Sequence, residues 1–155
     1  MLILNMFHDI IKDNDLLVQQ ILNYTDKIED AAPIFDVEGK RLELLHRELP
    51  GNLVRYRQIA DELKTLEQFL TLKKDKAEAD AYRRFKEGSN RALQPSDIKA
   101  YVPGDKDVIS WSELMLEVAL LRRKAESIVA ALETWSWRIG DISRLRIAEL
   151  QDVIL

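Results

Sequence analysis

Apolar residues recur along most of this chain at the three-and-four spacing of a single helix face, and the recurrence is longest toward the C-terminal end. From Leu114, the residues Val118, Leu121, Ala125, Ile128, Leu132, Trp135, Ile139 and Ile142 follow at alternating steps of 4 and 3. Four heptads without a break predict a helix that packs along its whole length. Asp105 or Asp107 supplies the opening cap. Gly140 is the expected interruption, and DISRLRIAELQDVIL after it reads as a final amphipathic helix.

A second seam precedes it. Tyr56, Ile59, Leu63, Leu66 and Leu70 step by 3, 4, 3 and 4 and predict a helix over about Leu53–Lys86. Past Leu70 the large apolar residues give way to Ala77, Ala79 and Ala81 among many charges, and Gly88-Ser89-Asn90 ends the helix. Upstream, Leu49-Pro50-Gly51-Asn52 predicts a turn or kink that separates it from an earlier helix begun at Asp36 and carrying Leu42, Leu45 and Leu49. A first helix, with Asp15 as its cap, presents Leu16, Ile21 and Ile28 with Val18 and Leu22 alongside, and Pro33 breaks it. RALQPSDIKAYVPGD is the longest irregular stretch, with one short turn capped by Ser96 and stopped at Pro103-Gly104. The organisation expected is an N-terminal helical arm over 1–35 and a helical hairpin or kinked helix with a basic end over 36–91. A loop or hinge over 92–104 and an oligomerising helical region over 105–155 complete it.

Composition agrees with an all-α, elongated protomer. Gly and Pro number 5 and 4 in 155 residues, too few for the tight turns of a sandwich or barrel. No cysteine is present, which removes disulfides and thiolate metal sites and makes the cytosol the expected compartment. The start lacks the basic region and small-residue cleavage site of a signal peptide. No apolar run approaches the roughly 20 residues of a membrane span, so no membrane association is expected.

The net charge of −4 is unevenly spread. Residues 1–52 carry 5 basic and 10 acidic side chains, residues 53–91 carry 10 and 7, and residues 92–155 carry 8 and 10. Positive charge is therefore concentrated mid-chain, where a polyanion could be met.

Enzyme chemistry finds no foothold. His8 and His46, the only histidines, fall on different helices and read as surface residues. The EGK at 38–40 lacks the other glycines of a phosphate-binding loop, and no HExxH or nucleophile elbow occurs. No catalytic residue, metal or cofactor is expected. The basic stretch Lys73, Lys74, Lys76, Arg83, Arg84, Lys86 and Arg91 is interleaved with Tyr82 and Phe85, with Tyr101 beyond the loop. Cations along a backbone and aromatic faces for bases are what single-stranded nucleic acid requires. A solvated face laced with ion pairs to Asp75, Glu78, Asp80 and Glu87 is the alternative. Trp135 lies on the last helix's seam and Trp137 off it. Either a subunit interface or a folded-back final helix would bury the second indole.

In their order, KAEADAYRRFKEGSNRAL, AYVPGDKDVISW and ETWSWRIGDISRLRIAELQ resemble the UvsY family, the recombination mediators of large tailed bacteriophages. The elements that carry the resemblance are the Asp105-Lys106-Asp107-Val108 helix entry, the closure formed by Trp137 and Ile139, and the basic, aromatic helix end closed by Gly88. The stretch Asp36–Glu43 is similar as well, so the resemblance covers about residues 36–155. It implies a ring-like homo-oligomer built through C-terminal helices, here Leu114, Val118, Leu121, Ala125, Ile128, Leu132, Trp135, Trp137 and Ile139. It also implies binding of single-stranded DNA, contact with a single-strand DNA-binding protein, and loading of a RecA-like recombinase. The setting would be recombination and repair in the cytoplasm of the infected bacterial cell. The family's basic run before the aromatic-Gly element is replaced here by Asp80-Ala81-Tyr82, with the cations at Arg83 and Arg84. A helical scaffold, adaptor or virion component that binds only protein is the alternative function.

Overall fold

The computed structural model describes residues 14–36, 41–88 and 93–152. Among them are four α-helices and no strand: α1 (Asn14–Glu29), α2 (Leu42–Gly88), α3 (Pro95–Tyr101) and α4 (Lys106–Asp152). Short 3₁₀ turns at Ala32–Ile34 and Val102–Gly104 follow α1 and α3. The all-α expectation holds. His8, Arg91 and the apolar residues Leu2, Ile3, Leu4, Met6 and Phe7 lie outside the described residues.

Two of the breaks expected from sequence are not breaks. Helix α2 runs for 47 residues straight through Pro50 and Gly51, and α4 runs for 47 through Gly140. A proline removes one helical hydrogen bond and a glycine costs about 1 kcal/mol against alanine. Both helices bury long apolar faces, and burial at roughly 25 cal/mol per Å² outweighs single local penalties over such lengths. The stretch read as a hinge is ordered too. Gln94, not Ser96, is the cap residue of α3, because Pro95 with its fixed φ suits the first helical position. Ile98 and Val102 then turn inward as a buried pair.

By internal contacts the chain divides into two compact units, Met1–Asp61 with Leu121–Leu155, and Glu62–Leu120. In the first unit, α1 buries Leu17, Ile21, Tyr24 and Ile28. Ile21 and Ile28 are buried as expected, but Leu17 and Tyr24 complete that face, and Leu16, Val18 and Leu22 are exposed. Tyr56 of α2 is fully buried and donates its hydroxyl to the Lys27 carbonyl at 3.2 Å. Burial pushes its phenol pKa up, the field of Arg55 opposing and that of Asp30 adding to the rise. Here α2 and α4 run antiparallel, since His46 meets Ser143 while Arg57 meets Glu133.

In the second unit the same antiparallel sense holds, with Thr71 near Met115 and Arg84 reaching Asp105. Leu63, Leu66 and Leu70 are fully buried, as the seam predicts. The seam does not end at Leu70. It continues in small residues, and buried Ala77 and Ala81 form a cluster with Ile98, Val102 and Val108. Tyr82, Phe85, Leu93 and Trp111 are half-buried against that cluster.

The α4 seam packs the protomer itself. Val118, Leu121, Ala125, Leu132 and Ile139 are buried within the single chain, and Leu114, Ile128 and Trp135 are half-buried. A partner helix in the same chain is present at far higher effective concentration than one on another molecule, so the intramolecular pairing takes the seam. Trp137 is different: 73 % exposed, with no folded-back helix over it.

Candidate nucleic-acid interface

The three-four register that builds the α2 seam also sorts its cations. Counting on from Leu66 and Leu70, the seam positions are Lys73, Ala77, Ala81 and Arg84, so two of the expected DNA-contacting residues fall in line with the seam, Lys73 half-buried and Arg84 exposed at its end. Lys73 is half-buried with its ammonium 5.5 Å from the Phe69 ring centre and 5.7 Å from that of Trp111. A lysine at a core edge lays its methylenes on apolar surface and keeps its charge over ring faces. Arg84 points to the start of α4, donating to Asp105 at 2.7 Å and to Asp107 at 3.3 Å.

Asp105 caps α4. One of its carboxylate oxygens accepts from the Asp107 backbone N–H at 3.0 Å, and its other oxygen takes Arg84. Its side chain is only 15 % exposed. Desolvation pushes its pKa up, but the Arg84 hydrogen bond and charge and the Asp107 and Val108 backbone N–H groups outweigh that, and the net value lies below the ordinary carboxylate range. The same hydrogen bond, to Asp105 first, raises Arg84. Arg84 is thus a structural tie between the end of α2 and the cap of α4.

The remaining cations divide again. Lys74 pairs with Glu78 one turn on, at 3.3 Å. Lys76, Arg83 and Lys86 are exposed, and at i, i+7 and i+10 they line one strip of α2 with exposed Ala79 between them. That strip faces away from buried Ala77 and Ala81. Tyr82 and Phe85 are half-buried against the cluster formed by Ala77 and Ala81, and Phe85 rests against Tyr101 with ring centres 6.1 Å apart. Tyr101 is 57 % exposed, enough of its ring for a base to stack on.

The described residues hold no group of three carboxylate or imidazole side chains able to bind a metal ion. His46 and Ser143 come together at 2.9 Å, a pair invisible in the sequence. The Ser143 hydroxyl already donates to the Ile139 carbonyl at 2.9 Å, so the imidazole Nε2–H donates to Ser143 Oγ. An imidazole in that role takes no proton from the hydroxyl, and the pair is not a nucleophile with its base. In the first unit, Ile34, Phe35, Leu45, Leu49, Leu132, Trp135 and Ile139 line a small pocket. Its polar groups are Glu48 and Asn52, too few and too similar for a reaction centre.

No protein-family model matches the chain, and no curated protein or solved structure matches it either. Among the described residues, no helix is long and apolar enough to cross a membrane.

Proposed function

We propose that this chain is a non-catalytic recombination mediator that binds single-stranded DNA and helps load a RecA-like recombinase onto strands covered by a single-strand DNA-binding protein. The reading joins the resemblance to the UvsY family with one observation, the exposed strip of Lys76, Arg83 and Lys86 on α2. Three cations with about 15 Å of helix between the first and last suit a few consecutive phosphates. One such strip binds weakly. A ring-like homo-oligomer presents many along one strand, and the second and later contacts are made at high effective concentration. The strand held this way is bent and exposed for the recombinase, while the competing binding protein is loosened. The work would be done in the cytoplasm of the infected cell.

The test is fluorescence anisotropy with single-stranded and duplex oligonucleotides over a range of salt. Three phosphates neutralised per protomer predict a log–log salt slope of about −2 for a single strand. Joint substitution of Lys76, Arg83 and Lys86 by Ala should flatten the slope and leave the far-ultraviolet spectrum unchanged, whereas Lys74→Ala should change little. No binding at low salt would refute the mediator and favour a protein-only scaffold. What favours that second reading is exposed Ile109, Leu116 and Leu120, which share one face of α4 at i, i+7 and i+11.

A further inference from the structure

Leu116 and Leu120 are each more than half exposed, and they stand one turn apart on α4. They belong to a second three-four line along that helix, Ile109, Glu113, Leu116, Leu120, Arg123 and Ser127, with steps of 4, 3, 4, 3 and 4. At 100° per residue the six fall within about 40° of a common line. All six are exposed, and the buried seam residues Val118 and Ala125 lie on the opposite side of the helix. A heptad line on the back of a helix already packed in front is the pattern of a second helix contact.

The charges on this line select the helix that fits it. Glu113 comes before the leucine pair with Glu117 at its edge, and Arg123 and Lys124 come after it. All four are exposed, and none has an ion pair among the described residues. Glu113 and Glu117 are like charges one turn apart, which repel. Glu117 and Arg123 are about 9 Å apart along the axis, too far to pair on one helix.

A face with an acidic half and a basic half is its own complement when turned end for end. Setting Leu116 against the partner's Leu120, and Leu120 against the partner's Leu116, brings Glu113 opposite Arg123 twice. Parallel pairing would set Glu113 on Glu113 and Arg123 on Arg123, so the charges exclude it. In the antiparallel register Ile109 comes level with the partner's Ser127. There Ser127 and Ile128 line an open, mainly apolar hollow together with Ile28, Ala31, Ala32 and Phe35, which an aliphatic side chain can cover.

We infer that this face of α4 pairs antiparallel with the same face of a second copy, Leu116 and Leu120 forming the apolar centre and Glu113 with Arg123 the charge contacts. The contact is isologous, so it closes on two copies and does not extend a ring. It goes beyond the strand-binding reading and does not depend on it.

Light scattering of the full chain over a range of concentration tests it. Leu116→Asp should halve the parent's mass. Glu113→Arg and Arg123→Glu should each weaken pairing by about tenfold, because two attractive contacts become repulsive. Mixed in equal amounts, those two variants should regain the parent's mass, since every contact between them again joins opposite charges. Circular dichroism should match the parent in all three, whose sites are exposed. Unchanged mass in the variants, or charge variants that stay apart when mixed, would overturn the pair. A parent that scatters as a single chain at the highest concentration reached would overturn it as well. Oligo(dT) anisotropy on the same samples separates the two readings. Strand binding without these changes of mass overturns the pair and leaves the mediator, whereas the expected changes of mass without strand binding uphold the pair and refute the mediator.

Discussion

Arg83 and Arg84 are neighbours in sequence and opposite in role. A helix turns 100° per residue, so although both are exposed only Arg84 is aimed at the cap of α4. Arg84 ties two carboxylates, of which Asp105 also holds the Asp107 backbone N–H. Asp105→Ala should therefore lower the melting temperature more than Asp107→Ala, and Asp105→Asn, which can still cap, should fall between parent and Ala. The pH dependence follows from the depressed pKa of Asp105. A carboxyl with a lower pKa in the folded state stabilises above its unfolded value of about 3.9, and that contribution is lost as pH falls through the folded value. The melting difference between parent and Asp105→Asn should thus be full at neutral pH and disappear on strong acidification. A difference that persists undiminished at the lowest pH where the chain still folds would refute the tie.

At the scale of elements, α2 and α4 are each 47 residues, far beyond the average helix, and both contain residues that interrupt shorter ones. Neither Gly51 nor Gly140 has a positive φ, and a Cβ at either meets no atom within 4 Å. Gly51→Ala and Gly140→Ala should each raise stability by about 0.5–1 kcal/mol, measured by chemical denaturation, through helix propensity and a less flexible unfolded chain. Either substitution proving destabilising would mean that the helix is bent or broken there in solution. Truncation inside the seam acts the other way. Leu70→Ala or Leu132→Ala should cost about 2–5 kcal/mol, since both side chains are fully buried.

For the whole molecule, the decisive fact is that the α4 seam is closed within one chain. Leu121→Asp places a charge without a partner in a buried site, at a cost of several kcal/mol against a total stability of roughly 5–15. The expected outcome is unfolding, seen by circular dichroism, and not a folded smaller species. Self-association is left to exposed positions, of which Ile142, Leu145 and Ile147 crowd the end of α4. Leu145→Asp should keep the parent's melting temperature and reduce its mass in light scattering. A folded Leu121→Asp monomer would show that copies, not the chain's own α2, cover the seam.

The sequence by itself determined the helical class, the two seams, the acid-capped start of α4 and the closure of α2 at Gly88, because each depends on local periodicity or on a capping group a few residues away. It also contained the register that separates Lys76, Arg83 and Lys86 from Lys73 and Arg84, since Ala77 and Ala81 continue the seam past Leu70. Only the tertiary structure decided that Pro50 and Gly140 stay inside helices, that residues 95–104 are packed, and that α1 turns Leu17 and Tyr24 inward instead of Leu16. Those outcomes weigh local preferences of about 1 kcal/mol for glycine and about 3 for proline against burial by residues distant in the chain, and no window of sequence contains both sides of that balance. The same holds for the partner of the α4 seam. A heptad pattern states that a helix will be covered but not by which helix, and the intramolecular choice is set by the antiparallel return of the chain upon itself.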